Sequence, residues 1–235
     1  MIPIFVVRFN MKQMEDKCIR LVAENTTGLH YELRVYDNAQ DNEPLGVVWN
    51  RMVREEAEDE TWLHSQDPAF LLLNTDCFVT PGWLDGLLKV MHAHSKIGFV
   101  GPMTNNTGSP AQKIDRDVFK RQAAHREKHK DVIMQHHISG FCLLIRYQAW
   151  EEAGGFDESC PFYGQESALI EKCWRLGCST AVANWVYVEH LGGATAQRNG
   201  KAAHEELKKE GQVWFQRYLA RNCDMPRTEK RRALD

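Results

Sequence analysis

The stretch that most constrains this chain is Phe70-Leu71-Leu72-Leu73-Asn74-Thr75-Asp76, followed closely by Thr80-Pro81. Four consecutive apolar residues bounded by polar ones read as a buried strand. It ends in Asn74 and Asp76. Alternate residues of a strand share a face, so Asn74 and Asp76 project together while Thr75 points away. Thr80 suits a helix N-cap, and Pro81 suits the first helical position, where its missing N–H is no loss. A buried strand that delivers a carboxylate just before a helix belongs in an α/β sheet, whose ligands bind beyond the carboxyl ends of the strands.

The flanking sequence supports that layout. Residues 2–7 form a short apolar strand, and 11–23 carry Met14, Cys18, Leu21 and Val22 at helical spacing. A second strand follows at 31–36, ending at Asp37 and Asn38, then a helix places Leu45, Val48, Trp49, Met52 and Val53 on one face. The helix from Thr80 buries Leu84, Leu87, Leu88 and Met91, and Ile97–Val100 is a further strand before Gly101-Pro102 and a polar loop. The first hundred residues thus alternate strand and helix, which predicts a largely parallel sheet with right-handed crossovers. Beyond them, 113–130 is a charged helix or loop, 138–145 a strand broken at Gly140, and 147–153 a short helix. Residues 166–176 form a helix stopped by Gly177, 181–190 a strand ended by Gly192-Gly193, and 203–221 a last helix.

Asp37 and Asn38 end one strand and Asn74 and Asp76 the next, so both pairs face one crevice. Taken alone, Asp76 is better read as a cap of the turn before Thr80. Two later features add to it. Val186-Tyr187-Val188-Glu189-His190 is a strand that delivers a histidine at its end, and Tyr163-Gly164-Gln165-Glu166 puts a carboxylate at a helix start. Each alone is open to a structural reading, as a hydrogen-bonded histidine and as helix capping. His125, His129, His136 and His137 lack the neighbouring carboxylate or cysteine spacing of a metal site, so none is read there.

The order of these segments resembles a family 2-type glycosyltransferase of GT-A fold, over roughly residues 2–196. The 71–84 stretch resembles that family's metal-binding DxD segment, and Ile97–Pro102 the strand after it. Ser139-Gly140-Phe141 through Arg146, then Gly154-Gly155-Phe156-Asp157-Glu158, resembles the acceptor-side strand and its GGFDE turn. Val35-Tyr36-Asp37-Asn38 resembles the nucleoside-binding segment, Gly46 with Asn50-Arg51 the next helix, and residues 187–193 the closing His-Gly-Gly segment. Gly164-Gln165-Glu166-Ser167 through Trp174 is also similar to a motif of polypeptide GalNAc-transferases, which retain configuration.

The resemblance implies an α/β GT-A domain over 1–200, with a nucleotide-sugar half (1–102) and an acceptor half (103–200), followed by a C-terminal helix and basic tail. It implies a soluble transferase moving a sugar from a nucleotide-sugar, with UDP as the favoured nucleotide, to a hydroxyl acceptor. Asp37, Asn38, Asn50, Asn74 and Asp76 then hold the donor, and Asp76 with His190 holds Mn2+ or Mg2+. Gly140, Phe141 and Gln165 face the acceptor, and Glu166 is the catalytic group. Two departures matter: Asn74 leaves the DxD with one carboxylate, and Gln165-Glu166 replaces the family's Glu-Asp. They keep open an alternative, a domain that has lost catalysis and only binds a nucleotide or glycan.

Charge bears on the acceptor. Net charge is -3, but residues 113–130 hold seven Lys/Arg against three acids, and 217–232 hold six against two. A solvated face is the default for such runs. Two of them keep a modified base in DNA open beside glycan, lipid-linked and protein acceptors, and Lys113, Arg116, Lys120 or Arg121 are candidates to touch phosphates. The N-terminus has no signal-peptide pattern and no apolar run nears the ~20 residues of a membrane span. The odd count of seven cysteines without C-x-x-C reads as reduced thiols, and the expected location is cytoplasmic.

Overall fold

The computed structural model of the protein describes residues 1–193 and 200–222, so the basic tail from Arg227 to Arg232 lies outside the described residues. In chain order the elements are β1 (Ile2–Arg8), α1 (Lys12–Asn25), β2 (Tyr31–Asp37), α2 (Leu45–Glu56), α3 (Glu60–Leu63), β3 (Ala69–Leu73), β4 (Cys77–Val79) and α4 (Trp83–Ala93). Then come β5 (Ile97–Met103), α5 (Arg116–His129), β6 (Val132–Gln135), β7 (Cys142–Arg146), α6 (Tyr147–Glu152), α7 (Gln165–Arg175), β8 (Ser179–His190) and α8 (Lys201–Arg221).

The strands form one mixed sheet in the order β2-β1-β3-β7-β5-β8-β4, with β6 pairing β8 beside that path. β1 is parallel to β2 and β3, and β5 is parallel to β8. β7 is antiparallel to both β3 and β5, so β2, β1, β3, β5 and β8 all run one way and β7 runs against them. The sheet is thus largely parallel, as the alternation of the first hundred residues predicts, with one antiparallel strand from later in the chain inserted into it. β3 and β5 are not neighbours, because the wholly buried Cys142–Arg146 strand from later in the chain separates them.

Strand β3 is buried at all five positions because both faces of the sheet are covered. Leu71 and Leu73 pack on one side with Leu84, Leu87 and Met91 of α4 and Cys18 and Val22 of α1. Phe70 and Leu72 pack on the other with Val48, Trp49 and Val53 of α2, Trp150 of α6 and Leu169 of α7. Alternate residues thus enter opposite cores, which is why the run shows no apolar–polar alternation. Each fully buried Leu or Phe contributes on the order of 2 kcal/mol.

Helix α1 starts under Glu15, whose Oε1 accepts from the N–H groups of Phe9 (2.6 Å) and Met11 (3.0 Å). Helix α4 starts differently from its sequence expectation. Thr80 donates its hydroxyl to the Tyr187 carbonyl at 2.6 Å, and Gly82, at φ 76°, is the N-cap. Tertiary pairing of β4 with β8 takes the hydroxyl that a local cap would use. Gly101 and Pro102, placed after the strand by the apolar pattern but within it by the family resemblance, lie inside β5. Gly140 precedes β7 instead of interrupting it. Helix α8 packs on α7: Arg175 donates to the Asn222 carbonyl at 2.8 Å, and Trp214 and Phe215 lie against Gly164. Cys18, Cys77, Cys142, Cys160, Cys173 and Cys178 are all free thiols. Among the described residues no helix is long and apolar enough to cross a membrane.

Candidate active site

A cavity of about 740 Å3 opens where the carboxyl ends of β1, β2 and β3 meet the end of β8 and the start of α7. Its walls include Asn38, Asn74, Asp76, Gly140, Gln165 and Glu166. The 106–108 loop after β5 and His190 close one side, and Val7, Phe9, Leu45 and Trp49 give an apolar wall. This is the location that strand-end logic assigns to a ligand in an open α/β sheet.

One corner is built by β4 and β8. Cys77 pairs with His190 in their antiparallel register, and Leu191 N–H donates to the Asp76 carbonyl at 3.0 Å. That pairing carries the His190 ring to the Asp76 carboxylate, with Nε2 3.4 Å from Oδ1. The other ring nitrogen, Nδ1, lies 2.6 Å from the Asn106 carbonyl. A carbonyl only accepts, so Nδ1 carries a hydrogen and Nε2 faces Asp76 as the exchangeable nitrogen. Phe141 stacks on the imidazole at 4.9 Å and 12°, and Asn105 Oδ1 accepts from the His190 backbone N–H at 2.9 Å. The ring is therefore fixed from three sides.

Burial alone would lower the His190 pKa. The hydrogen bond and charge of Asp76, together with the Asn106 carbonyl, outweigh it and raise the pKa on balance. Asp76 is only 5% exposed. A buried carboxylate oxygen and an imidazole nitrogen 3.4 Å apart fit adjacent positions on a divalent cation with bonds of about 2.1–2.2 Å. Cys77 also brings its sulfur near, but burial and the Asp76 charge push its thiol pKa well up, and it donates to the Phe141 carbonyl at 3.3 Å. A protonated, buried thiol is no ligand for a hard cation.

Across the cavity Glu166 lies in the first turn of α7. Burial raises its pKa above the usual carboxylate range, although the N–H groups of Glu166 and Gly140 bond to it and partly offset the shift. The side chain lies flat against Gly140: a Cβ there would sit 2.7 Å from Glu166 Cγ. Gln165 is buried beside it, near the Cys160 thiol at 3.6 Å.

Of the donor-side residues expected from the sequence, Asn38, Asn74 and Asp76 reach the cavity wall and two do not. Asp37 is exposed and accepts from the Ala39 N–H at 3.0 Å, closing its own turn. Asn50 is 1% exposed and does not line the cavity. It donates to the Phe156 carbonyl (2.9 Å) and Glu158 (2.8 Å) and accepts from Phe156 N–H (2.9 Å) and Trp150 Nε1 (3.2 Å). The Gly-Gly-Phe-Asp-Glu turn is thus tied to α2. Gly155, at φ 80°, allows this approach, since a Cβ would lie 2.7 Å from Asn50 Oδ1. Lys113, Arg116, Lys120 and Arg121 are not on the wall; Arg116 instead pairs with Glu189 at 3.2 Å.

Other wall residues were not singled out from the sequence. Asn106 on the wall braces His190 together with Asn105 behind it, and α8 contributes His204 and Lys208, with His204 Nδ1 3.2 Å from the Tyr163 hydroxyl. The Asn-Asn pair straight after a strand was the available signal for the first. Nothing in the sequence of α8 marks the second.

The sequence matches no protein-family model and no curated protein sequence. The structure does match solved ones. GalNAc-T7 with UDP, GalNAc and Mn2+ is 11% identical, with a TM-score of 0.54 over 81% of this chain and 43% of that one. A mannosyltransferase from Pyrobaculum calidifontis in complex with GDP-Man and Mn2+ is 16% identical, with a TM-score of 0.53 over 86% of this chain and 61% of that one. This chain therefore spans less than two thirds of either. The chain has a GT-A glycosyltransferase fold, as the order of its sequence segments implies.

Proposed function

We propose that the protein is a metal-dependent glycosyltransferase that takes a nucleotide-diphosphate sugar as donor and a hydroxyl group as acceptor. The observation that carries this reading is one cavity, in a GT-A fold, with the Asp76–His190 pair on one wall and the Glu166 carboxylate on another. Asp76 and His190 would hold a divalent cation, and a carboxylate plus an imidazole suits Mn2+ better than Mg2+. Such a cation supplies positive charge to a diphosphate leaving group. Asn74 projects from the same strand end toward the sugar or ribose, and the apolar wall of Val7, Phe9, Leu45 and Trp49 excludes water beneath the nucleoside.

Glu166 is the group suited to take the acceptor proton. Its raised pKa brings its basicity closer to neutral pH, where a carboxylate general base works best. If configuration is retained, the same carboxylate orients the donor sugar instead. One observation favours a second reading, a nucleotide-binding domain without turnover. Asp76 is the only carboxylate that the metal corner offers among the described residues.

Screening UDP- and GDP-sugars by thermal shift, with and without Mn2+, tests the donor claim, because a ligand of the native state raises Tm by mass action. The reading expects a metal-dependent rise with at least one donor, and turnover of that donor. A rise without turnover on any acceptor supports the second reading, and no rise with any donor refutes both. Glycan, lipid-linked, protein and modified-DNA acceptors are separated by where a labelled sugar appears. Steep loss of transfer with salt is expected for DNA alone.

A further inference from the structure

None of the residues of a second set of metal-binding groups lines the cavity, and two segments bring them together. His136 and His137 follow β6, and Glu171 lies on the buried side of α7. They are far apart in sequence, which is why the histidine-rich stretch carries no metal motif of its own. Glu171 Oε2 lies 3.0 Å from His136 Nε2 and 3.6 Å from His137 Nε2. The three ligand atoms all lie within 4.8 Å of one another. In a tetrahedral zinc site with bonds of about 2.0–2.1 Å, ligand atoms sit about 3.3 Å apart. The two distances from Glu171 bracket that value.

The surroundings orient these groups. Arg175 Nε donates to Glu171 Oε1 at 2.8 Å, which occupies one carboxylate oxygen and leaves Oε2 turned to the imidazoles. The His136 ring lies tilted against both His137 and Trp174, with both ring-centroid distances at 4.2 Å. Phe215 of α8 meets the His137 ring edge-on at 6.1 Å. Burial lowers the His137 pKa, which favours the neutral imidazole that a metal requires. His137 Nδ1 is buried with no hydrogen-bond partner among the described residues. Ligating histidines usually donate that N–H to a carbonyl or carboxylate. Its absence sets an affinity weaker than that of a closed structural zinc site.

We infer that His136, His137 and Glu171 form a Zn2+ site, separate from the Asp76–His190 corner, with a fourth position open to water. Two imidazoles and one carboxylate match zinc, whereas Mg2+ prefers an all-oxygen octahedron. The ion would tie α7, whose first turn carries Glu166, to the segment that runs from β6 into Gly140. Those are the two segments that touch at the Gly140–Glu166 contact. This role does not depend on the glycosyl-transfer reading.

The test uses the full chain, stripped with chelator, carrying Asp76→Asn so that the cavity corner does not contribute. Calorimetry with Zn2+ alone is expected to give one equivalent at micromolar affinity, with no comparable heat from Mg2+. Co2+ in place of Zn2+ is expected to give the visible absorption of a four-coordinate nitrogen–oxygen site. Adding His136→Gln with His137→Gln should weaken Zn2+ binding at least tenfold and abolish the Co2+ spectrum. Should that variant fail to fold, His136→Gln alone serves, since its side chain is 40% exposed. No Zn2+ equivalent in the Asp76→Asn protein would overturn the inference, as would affinity unchanged by the histidine substitutions. Because neither readout involves a nucleotide sugar, failure here leaves the donor-site proposal standing, and the reverse also holds.

Discussion

Replacing Gly140 with alanine would place a Cβ 2.7 Å from Glu166 Cγ and 2.9 Å from both Cδ and Oε1. Ordinary carbon–carbon contact is about 3.5–4.0 Å, so the Glu166 side chain must shift by roughly 1 Å. The backbone at Gly140 is tied to its surroundings, since Phe141 beside it accepts from the Asn74 N–H at 2.9 Å. The movable partner is the Glu166 carboxylate, which would also lose the Gly140 N–H. A misplacement of about 1 Å in a reacting group lowers rate by around 100-fold, equivalent to roughly 2.7 kcal/mol in the barrier. Overpacking a rigid core costs about 1–3 kcal/mol, and a side chain with cavity space on one side yields at the low end. The expected result is therefore a split. Turnover of the donor found by thermal shift drops about 100-fold, while Tm moves by a few degrees at most. Glu166→Gln should lower turnover further, and Gly140→Ala added to it should change little more, because both act through one carboxylate. Wild-type turnover in Gly140→Ala would refute the reasoning, and so would full additivity of the two substitutions.

Glu166→Gln also has a pH signature. Burial raises the folded-state pKa of Glu166, so its contribution to stability is fully present below the unfolded pKa and is lost as pH rises through the folded one. Glutamine does not ionise, so the Tm of the variant relative to wild type should climb with pH from the acidic range upward. A difference that is flat with pH would contradict the burial account. Asn50→Ala should leave Phe156 N–H, Phe156 C=O and Trp150 Nε1 without their partner. At about 1 kcal/mol each, this is a loss of roughly 3 kcal/mol, or a fall in Tm of about 6–12 °C by calorimetry. Since Asn50 does not line the cavity, donor affinity of the folded fraction should stay near wild type. Phe141→Ala should remove the ring that stacks on His190 at 4.9 Å, and so weaken Mn2+ binding by calorimetry more than it lowers Tm.

Much of the fold follows from apolar pattern. The residue run 70–73 is uninterrupted because Phe70 and Leu72 face one core while Leu71 and Leu73 face the other. The helices of the first half are marked by Cys18 and Val22, and by Leu84, Leu87 and Met91, on single faces. What the pattern does not specify is strand order, because the insertion of β7 between β3 and β5 rests on pairing across the whole chain. Short strands β4 and β6 are likewise defined by their pairing with β8. The cavity wall was legible where a polar residue ends an apolar strand, as with Asp76 and His190. It was illegible where function and architecture use the same residue type. Asp37 and Asn50 both resembled donor contacts, yet one closes an Asx turn and the other supports the 154–158 turn. His204 and Lys208 reach the cavity only because α8 folds back over α7, which local sequence cannot announce.

The central claim rests on one carboxylate, and Asp76→Asn isolates it because it keeps the shape while removing the charge. The decisive measurement is the rate of donor turnover against Mn2+ concentration, in wild type and in Asp76→Asn, at fixed pH with folding verified by Tm. The account predicts turnover that requires the metal in wild type and falls at least 100-fold in the variant, about 2.7 kcal/mol or more in the barrier. Undiminished turnover in Asp76→Asn, or full turnover of wild type in chelator, would contradict it.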